Sequence, residues 1–578
     1  MQRALLEIES AAGPKTFELS LRGGNSFDEL YVDFQLAGEQ DGERYTVFLH
    51  PKQDIVVKRL EIRFAVSVLP DTRFFANGYQ SRSESRLWPA NAALPRLRAI
   101  AKPLMGRYGD DWIDGIPNKG LYSWTYTYLT GPREKIRFWG SLNESTGFTL
   151  FLYDSATGLL TVRKDMGNLR LSHSFPALDC WTGEGDEAAV FDAWVKQTVS
   201  SFKKNQTEPI KNTLNWTSRG LDPEQINEEI ILQNLESVAN SGLPFRYFQI
   251  DDGWQTAAGD WRSVKPVFPG GMGLLAGKIR EKGLKPGLWL APFVASGRSQ
   301  LVKRNPEWLL KGRNGKPLRA GWNPAWGGWF YALNFYHPGV QDYLSGVFHI
   351  VLEQWGYAMV KLDFLFAACL APPPGKTRGQ AMRDAMEFLR RQLGERTMLA
   401  CGVPLGSAFG LADICRTGSD VHLKWERRLP AFLRQRERAG ALASLRSALG
   451  RWQLNGRFFC NDPDVFILRR ENQYLSPIQQ NTLLTVNALL GGILFTPDDV
   501  GAYTPEQRAE LGEALDWHGS RIEQVKELEN DVYRIDFEQD GQRYSAFCNL
   551  NTRPVRRSIS EPVKPGLLPY ETIILKTL

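Results

Sequence analysis

The sequence predicts a multidomain chain of mixed α/β and β class, built around a (β/α)8 TIM barrel. Two observations carry this. Between about residue 206 and residue 525, short apolar runs alternate with long amphipathic segments. On either side, over residues 1–205 and 526–578, the pattern changes to strands separated by Gly, Asn and Asp turns. A chain of 578 residues also exceeds what one hydrophobic core serves, so several domains are required.

The first zone contains alternating or aromatic β segments such as Tyr45–Leu49 and Ile136–Gly140, with turns at Thr157-Gly158 and Gly167-Asn168. That is the pattern of an antiparallel sandwich. In the second zone eight strands are expected: Asn212–Trp216, Phe245–Ile250, Pro286–Ala291, Ala358–Asp363, Met398–Cys401, Ala412–Arg416, Phe458–Cys460 and Gly492–Phe495. Helices are expected over Pro223–Asn240, Pro338–Trp355 and Gly379–Leu393, the first capped by Asp222 with Pro223 at its first position. No Gly-x-Gly-x-x-Gly turn follows the first strand, which argues against a doubly wound open sheet. In the last zone Val532–Phe537 alternates apolar and polar residues, and Tyr544–Asn549 and Glu571–Leu575 complete a small antiparallel β domain.

Composition removes several functions. The net charge is +6, with Lys and Arg interspersed among Asp and Glu, so no basic stripe offers itself to nucleic acid. The longest apolar stretch, Leu483–Phe495, is interrupted by Thr485 and Asn487 and is too short for a membrane span. The start of the chain lacks the apolar core of a secretory signal, and six scattered cysteines form no Cys-x-x-Cys pair. A cytoplasmic setting is expected, with no zinc site. The aromatic content of 18 Trp, 18 Tyr and 31 Phe admits large cores or sugar platforms, and cores are the simpler reading.

In a barrel of this kind, chemistry sits where strands end. The proposed strands run into Asp251-Asp252-Gly253-Trp254, Trp289 to Phe293, Lys361-Leu362-Asp363-Phe364, Cys401-Gly402, Arg416 to Asp420, and Asn461-Asp462-Pro463-Asp464. Carboxylates from different strands therefore gather on one rim. Two of them suffice for glycoside hydrolysis, one ionised to attack the anomeric carbon and one protonated to release the leaving oxygen. Asp363 suits the attacking role, because Lys361 lies two residues earlier on the same strand face. Asp420, on a Gly-containing loop, suits the acid/base role, with His422 and Lys424 nearby. Taken singly, Asp-Asp-Gly is a turn, Cys401 a small buried residue, and Trp216, Trp254 and Trp289 core aromatics. Asp462 and Asp464 suit a capped turn, or weakly a calcium site. The residues alone lead to a barrel hydrolase with an acidic rim and name no sugar.

The motifs together resemble glycoside hydrolase family 36, the bacterial α-galactosidases. The resemblance is carried by Phe248–Asp252, Gly287–Phe293, Lys361–Phe366, Cys401-Gly402 with Pro404-Leu405, Arg416 ahead of Asp420, and Asn461–Asp464 with Leu468-Arg469. It implies an N-terminal β-supersandwich, a barrel and a C-terminal β domain, and double displacement with retention and no cofactor or metal. It implies Asp363 as nucleophile and Asp420 as acid/base, with Asp251 and Asp252 on the galactose hydroxyls at carbons 4 and 6. Trp289, Lys361, Cys401 and Arg416 would line the same subsite, with Trp216 and Trp254 as further aromatics. Tyr79, in the loop Asn77–Ser81, would reach over the barrel from the N-terminal domain. Arg219, Asn334 and the basic loop with Lys424 depart from the family pattern, and Arg219 and Lys424 raise an acidic or otherwise modified galactoside as substrate. An α-N-acetylgalactosaminidase, a transglycosylase and a non-catalytic sugar-binding barrel are the other readings. The expected partner is a small glycoside or oligosaccharide; self-association stays open.

Overall fold

The computed structural model describes residues 2–39, 41–131, 135–199, 212–220, 225–312, 314–555 and 566–577. The expected domain junction at 205–206 and the cap Asp222-Pro223 lie outside them.

Residues of the first zone form two antiparallel sheets, one of seven strands and one of eight. The sheets face each other across an aromatic layer. Tyr45 and Trp139 of the larger sheet both pack edge-on to Phe64 of the smaller one, at 5.2 and 6.1 Å between ring centres. Such pairs contribute roughly 0.5–1.5 kcal/mol each beyond their buried area. Trp124, Trp139, Trp181 and Trp194 are fully buried here. Much of the aromatic content is thus core, as the simpler reading held. The turns at Gly158 and Gly167-Asn168 have positive φ, the geometry that favours these residues.

The central sheet is parallel. Its strands are β1 (Thr213–Thr217), β2 (Phe245–Ile250), β3 (Lys285–Leu290), β4 (Met359–Leu362), β5 (Thr397–Ala400), β6 (Ile414–Arg416), β7 (Cys460–Asp462) and β8 (Ile493–Thr496). They neighbour one another in the order β7-β6-β5-β4-β3-β2-β1-β8, and the bridge Val465↔Phe495 joins the segments following β7 and belonging to β8. This is the (β/α)8 barrel that the alternation predicts. Its strands are buried almost throughout, which is why they read as continuous apolar runs rather than alternating ones.

Helices α1 (Glu228–Ala239), α2 (Gly271–Glu281), α3 (Pro338–His349), α4 (Arg378–Leu393), α5 (Ala441–Gly450), α6 (Pro477–Leu490) and α7 (Pro505–Trp517) surround it. Asn227, five residues beyond the expected cap, starts α1 by accepting from Ile230 N. Thr377, Ser476 and Thr504 start α4, α6 and α7 with reciprocal capping boxes to a Gln three residues on. Helix α3 ends in a π-helical turn over Ile350–Gln354. Strands β5 and β6 are joined without an α-helix, by a 3-10 turn at Leu405–Ala408.

Two expectations shift. The seventh strand starts at Cys460 rather than Phe458, which places Asn461 and Asp462 on the strand itself. The last sheet has four strands, because Arg521–Glu529 pairs with Val532–Gln539. That first strand has five charged residues among its nine and only half-buried positions, so its sequence carries no clear alternation.

Candidate active site

The C-terminal ends of the barrel strands bring the predicted carboxylates together. Asp363 follows β4, and its backbone N donates to Leu290 O of β3 at 2.8 Å. The next residue, Phe364, has φ 53°, an unusual left-handed conformation for a bulky side chain. This turn aims the Phe364 N–H at Asp363 Oδ1, at 2.6 Å. Asp363 Oδ2 accepts from Trp289 Nε1 at 3.2 Å and from Arg82 Nη2 at 2.5 Å. A carboxylate offers about four acceptor positions. The three donors leave the spare one on Oδ1. Gly402, φ 62°, keeps that oxygen clear, since a Cβ there would stand 3.4 Å from it.

The cation beside Asp363 is therefore Arg82, not Lys361. Although Lys361 is one strand position away on the same face, its Nζ reaches across to Asp251 Oδ2 at 2.7 Å. Asp251 also accepts from Gln249 Nε2 and Asp252 N. Burial raises the Asp251 pKa, but the Lys361 charge and hydrogen bond outweigh it and hold the carboxyl below its ordinary value. Asp252 differs. Burial pushes its pKa up to about 6, despite hydrogen bonds from Gln255 and Trp326. Trp326 Nε1 donates to Asp252 Oδ2 at 2.7 Å. It sits on a three-stranded antiparallel hairpin sheet inserted after β3, and nothing in the sequence around it signals this contact.

Asp420 lies past β6, and its side chain is 28% exposed against 4% for Asp363. Three guanidinium groups converge on its Oδ1: Arg416 at 3.1 Å, Arg219 at 3.2 Å and Arg82 at 3.6 Å. Burial alone would raise its pKa, but these cations dominate and hold it well below the usual carboxylate range. Arg416 also grips Asp462 and Asp464, at 2.9 and 2.7 Å, and Arg219 reaches Asp464 at 3.1 Å. Asp462 and Asp464 are thus committed to arginines. Lys424 lies over the Tyr474 ring, 4.8 Å from its centre.

Three predicted sugar contacts sit elsewhere. Trp216 is fully buried, stacked 4.1 Å from Phe248, and donates to Asp498 O. Trp254 is fully buried between Trp261 and Trp355 and donates to Trp289 O. Tyr79 packs edge-on against Trp124 and Phe148 and shares a hydrogen bond with Cys369 Sγ. Large apolar rings gain more from these cores than from a half-wet rim. The loop bearing Tyr79 does reach the barrel, in the same chain, but delivers Arg82 instead. Cys401 is sealed beneath it, accepting from Arg82 Nε at 3.3 Å, with burial pushing its thiol pKa up to about 12.

That loop is fixed at several points. Ser81 N donates to Val403 O, and Gly402 N donates to Ser81 Oγ. Arg451 is fully buried; it donates to Asn77 Oδ1 at 2.8 Å, to Ser81 O at 2.5 Å and to Thr417 O at 3.0 Å. The sequence singled out neither Arg82 nor Arg451. Both lie in unremarkable polar surroundings, and only the tertiary fold shows what they touch.

A barrel with paired carboxylates at its strand ends and arginines between them has the parts that glycoside hydrolysis needs. The comparisons agree. The sequence model of the Melibiase family matches residues 180–374. The α-galactosidase Mel36A of Lactobacillus acidophilus is 33% identical over 135 residues, 22% of this chain and 18% of that protein. The α-galactosidase AgaA of Geobacillus stearothermophilus is 30% identical over 187 residues, 30% of this chain and 24% of that protein. The match thus spans under a quarter of the length of these curated relatives. In three dimensions, the α-galactosidase TtGalA of Thermus thermophilus, solved with p-nitrophenyl α-D-galactopyranoside, matches with a TM-score of 0.70 and 27% identity, over 89% of this chain and 98% of that one. A variant of AgaA solved with stachyose shares the fold, with a TM-score of 0.62 at 14% identity over 99% of this chain and 88% of that one. This chain therefore resembles the family 36 α-galactosidases in sequence over part of its length and in fold over most of it, the likeness its motifs implied.

Proposed function

We propose that the protein is a retaining exo-α-galactosidase, with Asp363 as nucleophile and Asp420 as general acid/base. The observation that carries this is the convergence of the two carboxylates on one guanidinium, Arg82, from the ends of different strands. Two carboxylates within 3.6 Å of one guanidinium are compatible with the separation of about 5–5.5 Å that a double displacement uses. Asp363 Oδ1, with its spare lone pair, attacks the anomeric carbon. Asp420 must first take up a proton against the pull of Arg219, Arg82 and Arg416; it gives that proton to the leaving oxygen and then takes one from the water that releases the sugar. Asp251 and Asp252, at the end of β2 with carboxyl pKa values shifted in opposite directions, suit recognition of the hydroxyls at carbons 4 and 6.

The substrate is a small α-galactoside or oligosaccharide, the class bound in the related TtGalA structures, which include one with stachyose. The acidic-galactoside reading draws no support from Arg219 or Lys424: the first is spent on Asp420 and Asp464, the second lies over a tyrosine. The six cysteines are buried, free thiols, which suits the reducing, cytoplasmic setting inferred from the sequence. No helix among the described residues is long and apolar enough to cross a membrane.

A panel of p-nitrophenyl α-glycosides tests the assignment, including galactose, N-acetylgalactosamine and glucose. Asp363→Ala should abolish turnover of the galactoside, with azide recovering a little product as β-galactosyl azide. Asp420→Ala should slow poor leaving groups about 10²-fold or more beyond its effect on the nitrophenyl galactoside. Retention of most activity by Asp363→Ala would remove the assignment, and preference for the N-acetylated sugar would replace the substrate.

A further inference from the structure

We propose that Arg82 is a positioning residue of the reaction: a single guanidinium, supplied by the N-terminal β domain, that stays beside whichever of Asp363 and Asp420 carries the negative charge. This deepens the reading above and rests on it.

The geometry is specific. Arg82 Nη2 donates to Asp363 Oδ2 at 2.5 Å, and its Nε stands 3.6 Å from Asp420 Oδ1. Arg82 Nη1 donates to Tyr108 Oη at 2.6 Å, and Nε also to Cys401 Sγ at 3.3 Å. The guanidinium lies 5.3 Å from the centre of the Phe364 ring. Its side chain is 7% exposed. A planar fork held at this many points has little freedom, and an arginine does not lose its proton. It therefore ties the two carboxylates to one fixed cation.

The reaction's charge balance explains why one cation should span both. In the first step Asp363 forms a bond to the anomeric carbon and its charge is consumed. The bond from that carbon to the leaving oxygen breaks, and the Asp420 proton goes to that oxygen. One negative charge has moved from Asp363 to Asp420. In the second step a water oxygen bonds to the carbon, the bond to Asp363 breaks, and a water proton goes to Asp420. The charge returns. Arg82 faces both ends of this path, so the cation need not move. Once Asp363 is esterified, Arg82 loses its counter-ion there and favours the Asp420 carboxylate, the form needed to accept the water proton.

The other charged and titratable groups around Asp420 do not share this position. Arg416 is countered by Asp462 and Asp464, and Arg219 by Asp464. Lys361 is bound to Asp251, and Tyr108 is neutral, its hydroxyl raised by burial. His422, beyond Asp420 on the same loop, has its pKa lowered by burial and by Arg427, Lys424 and Arg219.

Arg82→Met, Arg82→Lys and Arg82→Gly test this against wild type. On p-nitrophenyl α-galactoside, kcat of Arg82→Met should fall about 10²-fold or more. Removing a cation raises the Asp420 pKa, so the alkaline limb of kcat/KM should move to higher pH by about one unit or more. Arg82→Lys should keep part of the pH profile but not the rate, and millimolar guanidinium should restore part of the Arg82→Gly rate. A difference titration of wild type against Arg82→Met, read without substrate, should show one carboxylate whose pKa is higher in the variant. An unchanged pH profile, no guanidinium recovery and an unchanged titration, with only a lower melting temperature, would make Arg82 a structural clamp and end the proposal. Failure of the galactosidase reading is separate: it would show as wild-type inactivity or as turnover by Asp363→Ala, and the substrate-free titration would still decide whether Arg82 governs Asp420.

Discussion

At Asp252, burial and hydrogen bonding pull in opposite directions, and burial wins: the group titrates at about 6. A raised carboxyl pKa means that protonation sets in as pH falls through 6, well above the ordinary range. If sugar hydroxyls donate to the carboxylate form, galactose affinity should fall about tenfold for each pH unit below 6 and level off above it. Product inhibition by galactose between pH 4.5 and 8 measures this. Trp326→Phe removes a donor that lowers this pKa. The break should then move to higher pH, with KM raised by the equivalent of about 1.5–3 kcal/mol, the scale of a hydrogen bond to a charged group. Asp252 was legible in the sequence because it ends a strand; Trp326 was not, because its hairpin folds back over the rim from seventy-four residues away.

Among the elements, the turn after β4 and the turn after β5 act as a pair. Gly402 lies against Phe364 N, where an added Cβ would stand 3.2 Å away, and its own φ of 62° disfavours side chains. Gly402→Ala should cost about 1–2 kcal/mol of stability from backbone strain. It should also displace the Phe364 N–H from Asp363 and lower kcat, both readable by thermal unfolding and steady-state kinetics. A capping residue gives the contrast. Ser476→Ala at the start of α6 should cost about 1 kcal/mol and leave kcat unchanged. The barrel strands were legible to within one or two residues because parallel strands buried on both sides are continuous apolar runs. Hydrophobic patterning is silent where burial is partial, so it missed Arg521–Glu529. Taken singly, Trp216 and Trp254 read as core aromatics, and the structure buries both; only the family resemblance set them beside the sugar.

Across the whole molecule, the strap between the N-terminal sheets and the barrel is polar and buried. Arg451 joins Asn77, Ser81 and Thr417, and burial lowers its own pKa to about 10. Arg451→Met would leave several carbonyls without donors. The expected loss is about 2–4 kcal/mol, accompanied by a fall in kcat as the Arg82 loop loosens. Calorimetry and kinetics on one preparation separate the two effects. This link was invisible in the sequence because Arg451 lies 374 residues from Asn77 and 370 from Ser81; a family resemblance could bring the loop to the barrel, but only packing decided which of its side chains entered the site.

The same strap bears on biosynthesis. Arg82 leaves the ribosome 281 residues ahead of Asp363. Contacts that distant in the chain close late, because the intervening segment must first be ordered. A nascent sandwich therefore waits with an arginine prepared for a carboxylate not yet translated, and a barrel made without it would carry an acidic mouth lacking its central cation. Catalytic competence in this protein is a property that arrives last and all at once, when two separately built halves meet.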